Sequence, residues 1–398
     1  MRILVCPLDW GLGHASRCIP LIRSLIKNNH TVIIGASGGG RRLLEIEFPE
    51  LEIFEFPGYR VRYSRSPAWF LPVMLIQLPA LLLGYRRENA LLSNILSERK
   101  IDLVISDGRY GVNSSVVPCV FITHQIFIKV PGQFPGVARV ERLVLILNTF
   151  FLRRFLEVWI PDFPGPKNLS GDLSHLNTPL PNLVFIGILS RFGNESGGLT
   201  VENENSEKLI LENFPSIDIL AMVSGPEPQR GLFEKALVHG LKKRPGTHVL
   251  IRGLPGVSGS HNETSASIQA GCLNQFDHLH GSLLGPLIRQ AKMVVARSGY
   301  TTVMELAALG VQSVLFVPTP GQSEQEYLAQ HLEKTETAMQ MDQKNFELTQ
   351  MENKIQNYSG FGNWLSAAGS PLEKSSHSFS LIDFIRTHKL FQSGEIQL

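Results

Sequence analysis

Cysteine is scarce in this chain. Cys6, Cys18, Cys119 and Cys272 are its four, without a CxxC pair or histidines at zinc-ligand spacing. Neither a disulfide framework nor a structural metal is expected, and a reducing compartment fits. Charge of one sign is also lacking: 37 Lys and Arg stand against 35 Asp and Glu, a net of +2. That balance argues against bulk nucleic-acid binding, which needs a basic face to neutralise phosphates. No internal repeat or low-complexity tract is visible, and the run from Met1 to Asp9 is too short for a signal peptide's apolar region before it meets a glycine loop. The start of the chain therefore reads as a buried first strand, and a cytoplasmic location is expected.

What is present is a large apolar fraction, 43% hydrophobic against 18% charged over 398 residues. This is enough for a sizeable core, and the length favours two domains. The charge is unevenly shared: 20 basic and 14 acidic residues fall in 1–190, 17 and 21 in 191–398. The two halves are expected to face different partners.

Short apolar runs at 2–8, 31–35, 51–56, 101–106 and 118–122, separated by helical stretches, have the rhythm of a parallel sheet with crossover helices. A further run at 182–189 closes the first half, and the polar stretch Arg191 to Lys208 reads as a linker or surface loop. The rhythm restarts at 217–223, 248–252, 293–296 and 313–317. The expected organisation is α/β, with a Rossmann-like domain at 1–190 and a second at 191–398 whose tail has the option of packing back.

Between Arg65 and Arg86 lie 20 uncharged residues, SPAWFLPVMLIQLPALLLGY, long enough to cross a bilayer. Pro67, Pro72 and Pro79, arginine at both ends, and the need to keep strands 2–8 and 101–106 in one sheet all oppose a span. Two readings stay open: a core helix, or an interfacial patch in which Trp69, Phe70 and Tyr85, flanked by Arg60, Arg62, Arg65, Arg86 and Arg87, rest on anionic lipid. The stretch Leu143 to Leu152, bracketed by Arg139, Arg142, Arg153 and Arg154, repeats the pattern.

Chemistry is expected at strand ends. The first strand gives way to Asp9-Trp10-Gly11-Leu12-Gly13-His14, where Gly11 and Gly13 allow close backbone approach and His14 stands at the mouth of a helix. Position 16 is Ser, so this is not the GxGxxG dinucleotide fingerprint, and NAD is disfavoured. Strand 101–106 runs into Asp107-Gly108-Arg109. In a doubly wound sheet Asp107 and His14 can share one crevice, the carboxylate fixing the histidine as a base; a loop-forming role before glycine is the alternative for Asp107. His124 is a third polar candidate. In the second half, a strand ending at Ala296 turns through Ser298-Gly299 into a helix near Thr302, whose positive end suits a phosphate. Thr302 to Glu305 and Ser323 to Glu326 also fit capping boxes, so both glutamates have a purely structural alternative.

RSGYTTVMEL at 297–306 and GQSEQEY at 321–327 resemble the C-terminal domain of MurG-like, family 28 glycosyltransferases. GLGH at 11–14 and SGPEPQR at 224–230 fall where that family places glycine-rich loops. The resemblance is loose in the first half and firm over about 30 residues of the second. It implies the GT-B architecture, two Rossmann-like doubly wound domains with an interdomain cleft. It further implies that Glu305 accepts the ribose hydroxyls of a uridine nucleotide and that Ser298, Gly299 and the helix through Thr302 seat the diphosphate. Gln325 and Glu326 would touch the donor sugar, Ser224, Gly225 and Arg230 would border the phosphates, and the backbone near Gly281 would meet the uracil. Glu326 replaces a second glutamine of MurG, and GLGH is shorter than that enzyme's first loop, so its donor sugar and acceptor do not carry over. The histidine and later aspartate also resemble the base arrangement of inverting plant-type UDP-sugar transferases.

The function implied is an inverting, metal-independent transferase with no cofactor beyond its UDP-sugar substrate and with His14 as base. The sugar is open, an N-acetylhexosamine being one candidate. The acceptor is a hydroxyl, lipid-linked in one version, which would bring the enzyme to the inner face of the cell membrane. Two alternatives stand: a UDP-sugar 2-epimerase of the same fold, and a non-catalytic nucleotide-sugar-binding membrane scaffold.

Overall fold

The computed structural model describes residues 1–58, 70–132, 135–178, 180–192, 214–254, 268–348, 352–362 and 381–392. Arg60, Arg62, Arg65 and Trp69 lie outside them, as does the expected linker from residue 193 onward. The chain divides into two compact units, Met1–Leu189 with Ala368–Leu398, and Ser190–Ala367.

The first unit runs β1 (Arg2–Pro7), α1 (Gly13–Lys27), β2 (Thr31–Ala36), α2 (Gly38–Glu47), β3 (Ile53–Glu55), α3 (Phe70–Glu98), β4 (Leu103–Asp107), β5 (Cys119–Ile122), α4 (Val137–Leu152), β6 (Glu157–Ile160), α5 (Asp172–His175) and β7 (Leu183–Phe185). Its seven strands lie in the order β3-β2-β1-β4-β5-β6-β7, every pair parallel. The central strands are apolar without alternation because helices cover both faces; Ile3, Leu4, Val5, Leu103, Val104 and Ile105 are fully buried. The chain winds outward from β1 to β3 and then returns to β4 on the other side of β1, which opens a crevice at the carboxyl ends of those two strands. Their register sets Pro7 opposite Asp107.

The second unit runs β8 (Ile219–Met222), α6 (Gln229–Lys242), β9 (His248–Ile251), β10 (Leu273–Phe276), α7 (Gly281–Gln290), β11 (Met293–Ala296), α8 (Tyr300–Leu309), β12 (Val314–Phe316), α9 (Ser323–Lys334), β13 (Met339–Gln340) and α10 (Glu352–Ile355). Its strand order, β10-β9-β8-β11-β12-β13, again parallel, repeats the design with the reversal between β8 and β11. Two short helices, α11 (Leu381–Thr387) and α12 (Lys389–Gln392), belong to the first unit. There Phe384 meets the buried Trp159 edge-on at 5.3 Å, and His388 Nε2 lies 3.3 Å from Glu157 Oε2.

α3 and α4 carry apolar side chains into solvent. Ile76 is 78% exposed, Leu82 and Leu83 about half, and on α4 Leu143, Ile146, Leu147 and Phe150 are each more than half exposed. Arg154 joins the two helices, its Nη1 donating to Tyr85 Oη at 2.7 Å while the guanidinium lies over Phe150 and Phe151. No described helix is long and apolar enough to cross a membrane.

Candidate active site

The first candidate site forms where β1 and β4 end side by side. Gly11 takes a left-handed φ of +78°, which lets the chain turn from β1 into α1 without strain. α1 then begins at Gly13, so His14 sits in its first turn. Gly108, also left-handed, is what allows the ring to settle on the end of β4: a Cβ there would stand 3.0 Å from His14 Cε1. His14 Nδ1 lies 3.0 Å from Asp107 Oδ1, the carboxylate fully buried and the imidazole about one-fifth exposed. Arg109 fixes the loop beneath, donating from Nε to Pro7 O at 2.7 Å and from Nη1 to Glu88 Oε1 at 2.8 Å.

The pair does not stand alone. Arg17, one turn further along α1 and 2% exposed, donates from Nε to Asp107 Oδ2 at 2.7 Å and from Nη2 to Oδ1. Its Nη2 is also 3.0 Å from His14 Nδ1, and its Nη1 is 3.1 Å from Nδ1 of the buried His124. Burial alone would raise the Asp107 carboxyl, but Arg17 and then His14 hold it well below the usual carboxylate range. Burial, followed by the Arg17 cation, holds the His14 imidazole below its ordinary value against the pull of Asp107. Both effects favour the unprotonated ring. If its Nδ1–H faces the carboxylate, the Nε2 lone pair is available to take a proton.

The second candidate site lies at the reversal between β8 and β11. α8 begins at Tyr300, with Gly299 at its N-cap, no side-chain cap and no acidic residue in the first turn. Its positive end is thus not neutralised by its own side chains. The helix starts two residues before the expected Thr302, so Thr302 lies inside the first turn and Glu305 cannot cap it. The Thr302 to Glu305 capping box does not form. Glu305 is instead buried, its Oε1 2.9 Å from Arg191 Nε. Gln322 rather than Ser323 is the N-cap of α9, so the second box is absent too; Glu326 Oε1 accepts from Gly321 N at 2.9 Å.

Ser298 Oγ donates to Gln325 O at 2.7 Å, while Gln325 Oε1 accepts from Thr319 N at 2.8 Å. Ser298, Gln325 and Glu326 thus fasten one loop, the one carrying Thr319, whose buried Oγ1 has no hydrogen-bond partner among the described residues. Ser224 and Gly225 are exposed after β8, and a Cβ on Gly225 would stand 3.6 Å from that Thr319 oxygen. Arg230, by contrast, sits between two carboxylates, with 2.6 Å from Nε to Glu227 Oε1 and 2.7 Å from Nη1 to Glu234 Oε2. Arg297 is fully buried across the Phe233 ring and donates to Val317 O, Pro318 O, Gln229 O and Gln343 Oε1, tying together the loops under α8.

Arg191 brings Glu305 and Gly281 together. A Cβ on Gly281, at the start of α7, would lie 4.0 Å from Arg191 Cδ and 3.8 Å from Phe192 Cε1. Nearby His278 is pushed down to about 4 by burial, then by Arg191 and His280. Arg17 and Arg191 are the residues that sequence reasoning misses. The polar stretch that opens at Arg191 reads as a linker or surface loop, yet the Arg191 side chain is nearly buried against a carboxylate. Arg17 has a usable signal in its i, i+3 spacing from His14, which puts both on one helix face. Among the described residues no group of three His, Cys, Asp or Glu is placed to hold a metal ion.

Residues 258–368 match the glycosyltransferase family 28 C-terminal domain. An uncharacterized glycosyltransferase of Methanosarcina acetivorans is 26% identical over 342 residues, covering 82% of each chain. One from Methanosarcina mazei is 25% identical over 344 residues, covering 84% of each. Among solved structures, a spinosyn rhamnosyltransferase complexed with thymidine diphosphate superposes with a TM-score of 0.59 at 15% identity, covering 97% of this chain and 99% of that one. MurG of Acinetobacter baumannii gives 0.50 at 13%, covering 97% and 99%. At such identities the solved structures speak to the fold, which is GT-B, with two parallel sheets reversed in the same way. The family 28 match lies in the second half of the chain, and with this fold throughout the protein is a glycosyltransferase similar to that family.

Proposed function

We propose that the enzyme transfers a sugar from a UDP-sugar to a hydroxyl acceptor with inversion at the anomeric carbon. The observation that carries this reading is the 3.0 Å approach of His14 Nδ1 to the buried Asp107 carboxylate. His14 Nε2 takes the acceptor's proton as its oxygen attacks the anomeric carbon from the face opposite the leaving group. The bond from that carbon to the UDP oxygen breaks, and Asp107 steadies the imidazolium that forms. Glu305 accepts the ribose hydroxyls, and the N-terminal end of α8 takes up charge developing on the diphosphate, which serves in place of a metal ion. An N-acetylhexosamine is our candidate sugar. The exposed apolar faces of α3 and α4, with Arg86, Arg87, Arg139, Arg142, Arg153 and Arg154 in or beside them, support a lipid-linked acceptor and peripheral attachment to anionic membrane on the cytoplasmic side.

The test is a calorimetric series with UDP, thymidine diphosphate, GDP and ADP, followed by product analysis with UDP-sugars. UDP is expected to bind at least tenfold more tightly than the others, and the product glycoside to carry the inverted configuration. Tighter thymidine diphosphate binding would overturn the uridine assignment, and a retained configuration would overturn direct displacement.

A further inference from the structure

Arg17 stands where a simple His-Asp pair would have no need of it. Its buried guanidinium grips both oxygens of Asp107, reaches His124 Nδ1 at 3.1 Å and lies 3.0 Å from His14 Nδ1. Among the described residues, the charged and titratable groups facing His14 are thus Arg17 from α1, Asp107 from the end of β4 and His124 from the loop after β5. An ionised carboxylate only accepts hydrogen bonds and a guanidinium only donates them, so His14 Nδ1 serves one neighbour at a time. Donation to Asp107 leaves the lone pair on Nε2, the form a base requires. Acceptance from Arg17 moves the proton to Nε2 and disarms the ring. A guanidinium keeps its charge throughout the working pH range, so its effect on the ring is permanent.

We propose that Arg17 is a positioning residue that clamps the Asp107 carboxylate beside His14 and sets the pH range over which His14 remains unprotonated. This rests on the reading of His14 as the base. The clamp acts through geometry, because two donors on one rigid fork fix the plane of the carboxylate. It also acts through charge, because a cation in contact with the ring opposes a second positive charge there. The sign follows: without Arg17 the pull of Asp107 toward imidazolium is opposed only by burial and His124, so protonation extends to higher pH.

The experiment uses the full chain carrying Arg17→Gln or Arg17→Lys, with thermal melts to confirm folding. His14 is titrated by NMR, its resonance assigned with His14→Gln, and kcat/KM for sugar transfer is followed against pH. Arg17→Gln is expected to raise the His14 midpoint by roughly one pH unit or more and to move the acid limb of kcat/KM up by the same amount. Arg17→Lys keeps the charge and loses the fork, so the midpoint is expected to stay within about half a unit of wild type while kcat falls about tenfold. An unmoved His14 midpoint in folded Arg17→Gln, or wild-type kcat in Arg17→Lys, overturns the proposal. A midpoint that moves without the acid limb following leaves Arg17 in control of His14 and overturns the assignment of His14 as base.

Discussion

Replacing Glu305 by glutamine separates the two roles open to its carboxylate. If it accepts ribose hydroxyls, the substitution removes charge-assisted hydrogen bonds worth roughly 1.5 to 3 kcal/mol and weakens UDP by about ten- to 150-fold. The competing role is the ion pair with Arg191, in which the two side chains are 8% and 11% exposed. Removing one partner of a fully buried pair costs about 3–5 kcal/mol. The residual exposure here lowers that figure, and at roughly 2–4 °C per kcal/mol for a unit of this size the unliganded protein should melt several degrees lower. A lower melting temperature alone therefore does not identify a donor-binding role. The double variant Arg191→Met/Glu305→Gln resolves the two, since no unpaired charge remains and the melting temperature should recover part of the way. Weaker UDP binding should persist in both variants if the carboxylate holds the ribose. The assay is titration calorimetry with UDP beside differential scanning fluorimetry of the unliganded proteins. Unchanged UDP affinity in Glu305→Gln, or full recovery of affinity in the double variant, refutes the donor role and with it most of the case for uridine.

Substituting His14 by alanine should lower kcat by roughly 10² to 10⁴ with UDP affinity nearly intact, as steady-state kinetics and calorimetry can show. Near-normal turnover would move the base elsewhere, with His124 next. Asp107→Asn should give a smaller loss of kcat together with a lower melting temperature, because the buried Arg17 loses its counter-charge; an unaltered melt would contradict the contacts at that carboxylate. In vesicle flotation the protein should rise with anionic but not neutral lipid, and progressively less as salt increases. Flotation that ignores lipid charge and salt, or never occurs, would remove the membrane from the proposal.

Most strands are legible in the sequence, the central ones for one reason. β1, β4, β8 and β11 are covered on both faces, so burial alone dictates continuous apolar runs. β6, β10 and β13 escape notice, each for a local reason. β6 opens with Glu157, which serves Trp159 and His388; β10 reads Leu-Asn-Gln-Phe and is half exposed; β13 is two residues long. His14 and Asp107 are legible because each follows a central strand, and doubly wound order makes those strands neighbours. The start of α8 is misjudged because its N-cap is a glycine without a side-chain bond, and the first Ser or Thr after it is no guide. Arg17 and Arg191 are hidden for a different reason. An arginine in a helix or before a polar stretch normally has a solvated head, and only its partner shows otherwise. Arg17 meets its partner 90 positions away, and Arg191, in a turn, meets one on α8. Both partners, Asp107 and Glu305, are carboxylates at positions the sequence marks for chemistry. A buried carboxylate requires a compensating cation. The sequence therefore implies that such partners exist, but only the packing of distant elements decides which arginines they are.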